Sequence, residues 1–536
     1  MINLLIKFSK KNHLMKFFNI QTIKRIFNSK NFLLWFSVAL ISCFIWLFIA
    51  KKVHNPKGKE TYLLGVDVQR EIRATENLVY KGVMDFGIRD SMFRVPEAHD
   101  YTFRMPGFIV LYLPLFLLFG KHLALTLIII IEVLLHALSA YLLGKTTLIL
   151  FKKNWTFYFC FFAYLACSFV FQFNFGFNRE GLSTSVLVIA VYLIFNWFIN
   201  RKIRTLFFYC VLMTWLIFLR PFFLPVFLFF NFLIIFNIRK DSFLSILKIS
   251  ATIFLPLLFA LSIWTVRNYK LTKRFIVLES NWDYFNPYDF ENNFQDFNIA
   301  IGGNMIYWQN NTSGTWFFPK KMLNEWGLDE PSDNVIPDWI FSDVLTKDTL
   351  IKSRALFWES LNTSEPHEKQ KLLVGSVIIL KKFINHIEHD YPMKFYVTNR
   401  LKTLWTFVYY PQGISLRGLR YPFNVILTFS DNFIKYLIFL IGFFGSFYFL
   451  FKIRNDFLLW FPLSVIGFLY IFLTLYLQDP ECRRIAGAFP FLLVIACGIL
   501  TRVQKMKIKY KATIYVLLFL LLTTLSVHQT ITMINW

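Results

Sequence analysis

Two charged residues bracket the first long polar stretch of the chain. Gly65–Gly107 reads GVDVQREIRATENLVYKGVMDFGIRDSMFRVPEAHDYTFRMPG, with Asp67 near its start and Arg104 beside Pro106-Gly107 at its end. A carboxylate and a guanidinium at the mouth of a hydrophobic protein point to chemistry on a phosphate-bearing lipid, because the planar guanidinium fork offers two parallel hydrogen bonds to phosphate. Val68, Ile72, Thr75 and Val79 recur at helical spacing and Gly82 is a natural stop, so Asp67 falls in the first turn of an amphipathic helix. The plainer role for Asp67 is to cap that helix and favour its dipole. Glu71, one turn on, could share or replace any catalytic role; Arg70 and Arg73 suit headgroups or acidic neighbours.

Other charged groups recur at the ends of apolar segments. Glu180 opens one, in FNFGFNREGLSTS, while Arg220 in FLRPFF and Arg267 in WTVRNY each close one. Arg483 and Arg484 precede IAGAFP. Each arginine can bind phosphate or simply snorkel to headgroups, and Glu180 can start a helix without further duty. Inside the apolar segments, Glu132 and His136 lie one turn apart, which suits a structural hydrogen bond between helices, although intramembrane ionisable groups are also functional candidates. His99/Asp100 and His386/His389 lack a metal-ligand pattern. No Walker loop, G-x-S-x-G elbow or H-E-x-x-H motif is present.

The elements that must position these residues are membrane spans. The 536 residues are 56% hydrophobic, 20% aromatic and only 17% charged, a balance that soluble domains rarely show. The net charge of +25 sits just outside apolar segments, which reads as orientation signals and contact with anionic lipid rather than nucleic acid. With a hydrocarbon core about 30 Å thick, about eleven segments are long enough to span: 31–50, 122–148, 154–174, 181–199, 204–220, 221–238, 245–265, 432–451, 456–477, 486–501 and 512–533. The apolar piece 106–120 is short and interrupted by Pro114. If it does not cross, and the N-terminus is cytoplasmic, the dense basic loops at 152–153, 201–204, 239–240, 452–454 and 502–511 all lie inside. The piece is therefore expected to be re-entrant or juxtamembrane, lining a protein cavity.

This all-α polytopic layout divides the chain into four parts. Residues 1–30 form a basic cytoplasmic interfacial segment with no cleaved-signal pattern. Residues 31–266 form an N-terminal membrane module with its first outer loop at 51–121. Residues 267–431 form a mixed outer-face section between the seventh and eighth spans, long enough for a small domain. Residues 432–536 form the C-terminal membrane helices. Five of six cysteines lie in apolar segments and Cys482 in a loop, with no disulfide or metal spacing. No internal repeat or low-complexity tract is found.

The landmarks fall in an order that resembles the GT-C glycosyltransferase superfamily, in the branch of protein O-mannosyltransferases and lipid A aminoarabinose transferases. Asp67 stands ten positions before Asn77-Leu78. RMPG at 104–107 leads into an apolar helix ending at Phe119-Gly120, and the second acid, Glu180, follows two spans later. Then come Arg220-Pro221, the W-x-x-RN element (Trp264, Arg267, Asn268), Gly302-Gly303-Asn304 with Asn310-Asn311, and Arg484 with Pro490. The resemblance covers residues 30–500, and departs where the usual D-E pair is Asp67-Val68.

The resemblance implies a transferase of the bacterial inner membrane, working on the periplasmic face with a polyprenyl-phosphate sugar donor and a lipid, glycan or protein acceptor. It implies Asp67 as general base, and Glu180 as a second catalytic residue that orients the acceptor or sugar or assists the base. It implies Arg104 and Arg267, with Arg220 and Arg484 behind them, as the residues that hold the departing phosphate; Glu71, one turn from Asp67, is a further substrate-binding candidate. No nucleotide, cofactor or metal ligand set is implied; a divalent cation stays open. Two other functions fit a basic, many-spanned protein: an O-antigen-type ligase or polymerase with a diphosphate donor, and a lipid-linked sugar flippase. The flippase reading lacks the paired halves with broken helices that transporters often show.

Overall fold

The computed structural model describes residues 29–54, 66–86, 101–102, 104–174, 179–279, 288–302, 312–325, 329–331, 335–402, 404, 421–452, 457–472, 475, 485–506 and 508–535. Within them every element is helical. This follows from the solvent that the composition implies, because a helix satisfies its own main-chain donors and acceptors where no water is available.

The helices used below are α1 (Ser29–His54), α2 (Val66–Lys81), α3 (Gly107–Phe151), α4 (Asn154–Ala166), α5 (Arg179–Asn200), α6 (Ile203–Leu219), α7 (Leu224–Ile238) and α8 (Phe243–Thr272). After them come α9 (Phe290–Ala300), α10 (Lys347–Asn362), α11 (Pro366–Asp390), α12 (Phe423–Lys452), α13 (Phe489–Val503) and α14 (Ile508–Asn535). Among the described residues, eight helices are long and apolar enough to cross a membrane. The other three expected spans are helical but shorter. Ile203–Leu219 and Phe457–Phe472 are short apolar helices, and 154–174 breaks at Cys167, whose backbone is extended.

That break is held in place by a charge from another helix. Asp431 of α12 accepts from the Ser168 main-chain N–H and from its hydroxyl, each at 2.7 Å. Lys435, one turn along α12, lies 3.0 Å from the same carboxylate, with both side chains 5% exposed or less. The freed N–H of the interrupted helix is thus satisfied inside the bundle, which an apolar neighbour could not do.

The piece 106–120 is helical from Gly107 and joins α3, with a break at Gly120 (φ 71, ψ 173) that separates it from the span. Its first residue permits unusually close packing. A Cβ at Gly107 would stand 2.4 Å from the Phe218 carbonyl and the Leu219 nitrogen, so only glycine fits against the end of α6. Trp215 of α6 seals the contact by donating its indole N–H to the Gly107 carbonyl at 2.9 Å.

The main core joins α1 and α3 to α8 with α12 and α13. A second core lies in the polar section, where α9, α10 and α11 pack together through Phe290, Phe294, Phe297, Phe357, Leu373 and Phe383. Phe290 stacks on Phe357 with centroids 4.6 Å apart. Side-chain caps open two of these three helices: Asp289 accepts from the Asn292 N–H, and Thr346 from the Thr349 N–H.

Candidate active site

The helix of the first loop is docked by one of its three acidic residues. Glu71 on α2 is buried and lies 2.8 Å from the Arg179 guanidinium at the start of α5. Arg179 also donates to the Leu219 carbonyl at 3.2 Å, and so ties the end of α6 to the same point. The next residue, Glu180, pairs with Arg220 at the α6–α7 junction. Both pairs are at least nine-tenths buried, so each charge is compensated inside the protein rather than by water. Glu132 of α3 lies close enough to Glu180 for the two carboxyls to repel, and its Oε2 has no hydrogen-bond partner among the described residues.

The network brings together three of the positions singled out by sequence: Glu71, Glu180 and Arg220. It adds Arg179, which the sequence reading passed over although it stands directly beside Glu180. An Arg-Glu dipeptide opening an apolar span was the available signal, since a base and an acid one residue apart can each reach a different neighbour. His136 does not pair with Glu132. Its ring stacks on Tyr164 of α4 with centroids 4.7 Å apart, and Nδ1 is 3.5 Å from the tyrosine hydroxyl, so this histidine links α3 to α4.

Arg104 and Arg267 lie in a second cluster around the ends of the first loop. Arg104 is 3.4 Å from the buried Glu279 carboxylate. Arg267 donates to the Met84 carbonyl at 2.6 Å, to the Tyr101 carbonyl and to the Asn268 side chain at 2.9 Å. Its guanidinium also lies over Trp264, 4.9 Å from the ring centroid. Trp264 donates to the Leu278 carbonyl and Asn268 to the Ile276 carbonyl. Every member of the W-x-x-RN element therefore binds main chain, and two of its bonds anchor segments of the first loop. Three of Arg267's five N–H groups are engaged in this way, leaving two for any ligand.

Asp67 lies in the first turn of α2, one turn before Glu71, with its side chain outside the described residues. Arg484 is outside them as well, as are Gly303, Asn304, Asn310 and Asn311. Among the described residues no group of three or more His, Cys, Asp or Glu is placed to hold a metal ion. His386 instead pairs with Asp390 at 2.6 Å on α11.

Fold and site together define an all-α, multi-pass membrane protein that keeps an ionic network buried between the first-loop helix and the helix bundle. No family model and no curated protein matches the chain. Among solved structures it is similar to the Archaeoglobus fulgidus oligosaccharyltransferase in its apo form, at 12% identity and a TM-score of 0.44. The alignment covers 92% of this chain and 56% of that one, so the chain spans just over half the length of that protein.

Proposed function

We propose that the chain is a membrane glycosyltransferase that moves a sugar from a polyprenyl-phosphate donor to a hydroxyl acceptor. The observation that carries this reading is the convergence of α2 with the Arg179-Glu180 start of α5 and the Arg220-Pro221 junction. These are the segments whose order in the sequence resembles the GT-C enzymes. Their meeting around buried acids and guanidiniums suits a reaction that removes a proton at one point and releases a phosphate at another.

In that reaction Asp67 takes the acceptor hydroxyl proton as the oxygen attacks the anomeric carbon. The new C–O bond forms as the sugar–phosphate C–O bond breaks, and the phosphate leaves with the electron pair. Arg104 and Arg267, with a smaller contribution from Arg220 and Arg484, offset the charge growing on that phosphate. Glu180 orients the acceptor or the sugar and holds Arg220, and Glu71 keeps Asp67 on a fixed helix by docking α2. Direct attack with a single base inverts the anomeric centre. The site faces the periplasm of a bacterial inner membrane, with a cytoplasmic N-terminus, as the basic loops favour.

The test is transfer from labelled undecaprenyl-phosphate sugars in purified membranes, comparing the wild type with Asp67→Asn. Loss of about 10²-fold or more is expected on removing a general base. Full transfer by a normally folded Asp67→Asn variant would sink the mechanism. Movement of lipid-linked sugar across the bilayer with no glycosidic bond formed would make the protein a flippase instead.

A further inference from the structure

A groove of about 640 Å³ runs between the C-terminal end of α2 and the last turns of α8. Its volume is that of a site for a sizeable small molecule. From α2 and the residues after it come Leu78, Gly82, Val83 and Met84. From α8 come Ser262, Ile263, Val266, Arg267, Lys270 and Leu271, which recur every three or four residues and so form one stripe of that helix.

The wall is apolar apart from Ser262 and two cations, and the cations do different things. Arg267 is turned to the main chain of the first loop, as described above. Lys270 is exposed on the same stripe. The apolar residues of the stripe are also unusually open, with Ile263 58% and Val266 55% exposed. They continue an outward face of α8 that includes Leu255, Leu258 and Phe259. A helix with so little of its apolar surface covered by protein must be covered by acyl chains in a bilayer. At the groove this acyl-covered face meets an ammonium at the helix end, where headgroups lie.

We infer that this groove binds a bilayer phospholipid with an anionic headgroup, its acyl chain along Ile263, Val266 and Leu78 and its phosphate on Lys270. The lipid here is a resident of the membrane and not a reactant, although the groove shares Arg267 with the sugar-transfer reading. Its placement beside Met84 and Arg267 means that the lipid would pack against the residues that anchor the first loop.

The full-length protein, purified in mild detergent with equal phosphatidylglycerol and phosphatidylcholine, is examined by native mass spectrometry for retained lipid. Phosphatidylglycerol is expected to be retained in preference. Lys270→Glu should lower its retention by about fivefold or more, given the weight of one lysine at an anionic surface. Ser262→Phe, which fills the groove without removing a charge, should lower retention of both lipids. Lys248→Glu, exposed at the other end of α8 and away from the groove, should lower phosphatidylglycerol retention less than Lys270→Glu does and leave phosphatidylcholine retention unchanged. Equal retention of the two lipids, or unchanged retention in both groove variants, would overturn the inference. So would displacement of the phospholipid by equimolar undecaprenyl phosphate, which would make the groove a donor site. Lipid retention is read without any transfer reaction, so its failure leaves the transferase test standing.

Discussion

Glu71 and Arg179 face each other at 2.8 Å, each side chain 1% exposed, and join the helix of the first loop to the helix that carries Glu180. Removing one partner strips the other charge of its buried counter-ion, a loss that typically costs about 3–5 kcal/mol. Glu71→Leu and Arg179→Met should each lower the melting temperature of the purified protein markedly. The double variant should recover much of the loss, since an apolar pair of similar volume leaves no orphaned charge. If the double variant is as unstable as the sum of the singles, the two residues do not act as a pair.

Arg267 is expected to behave as an anchor of the first loop. Lysine cannot reproduce a planar fork that reaches the Met84 and Tyr101 carbonyls and the Asn268 side chain together. Arg267→Lys should therefore speed limited proteolysis within residues 84–101 and reduce transfer in parallel. Wild-type cleavage rates with reduced transfer would assign the residue to substrate alone.

The Glu180–Arg220 pair supplies a third expectation. Glu180→Gln keeps the shape but leaves Arg220 opposite a neutral group, and should reduce transfer by about tenfold or more, as expected when a buried charge-assisted hydrogen bond worth roughly 1.5–3 kcal/mol is weakened. Initial-rate assays with the labelled donor decide it. Unchanged rates in a stable variant would leave Glu180 as a structural residue.

Gly107→Ala tests the close approach of α3 to α6. With 2.4 Å between the added carbon and the Phe218–Leu219 main chain, backbone must shift, at a cost of about 1–3 kcal/mol. Gly467→Ala is the control, because a carbon added there meets nothing within 4 Å. Thermal unfolding followed by fluorescence-detected size exclusion should separate the two; equal melting temperatures would contradict the packing.

Asp431→Ala should be more damaging than a single polar change at the surface. It strips the Ser168 N–H of its acceptor and Lys435 of its counter-ion in one step. The expected result is loss of monodisperse protein on extraction, with Asp431→Asn intermediate because it keeps one acceptor oxygen. A monodisperse, wild-type-like Asp431→Ala would refute the role.

The division between what was legible and what was not follows from range. Span positions, the helical nature of all described elements, the stop at Gly82 and the separate character of the piece 106–120 are local properties. They depend on hydropathy summed over about 20 residues and on the backbone freedom of single glycines. The shortening of 154–174 at Cys167 was not legible, because its cause, Asp431, lies on a different helix. The same holds for the charged residues. Their types and order marked Glu71, Glu180, Arg220 and Arg267 as candidates, and the sequence alone determined an all-α membrane protein with acids and arginines at its span ends. Only the tertiary structure decided that Arg179 holds Glu71, that Arg220 holds Glu180, and that Arg267 grips the first loop. An ion pair is a relation between distant side chains, set by how helices pack, and no local pattern carries that distance.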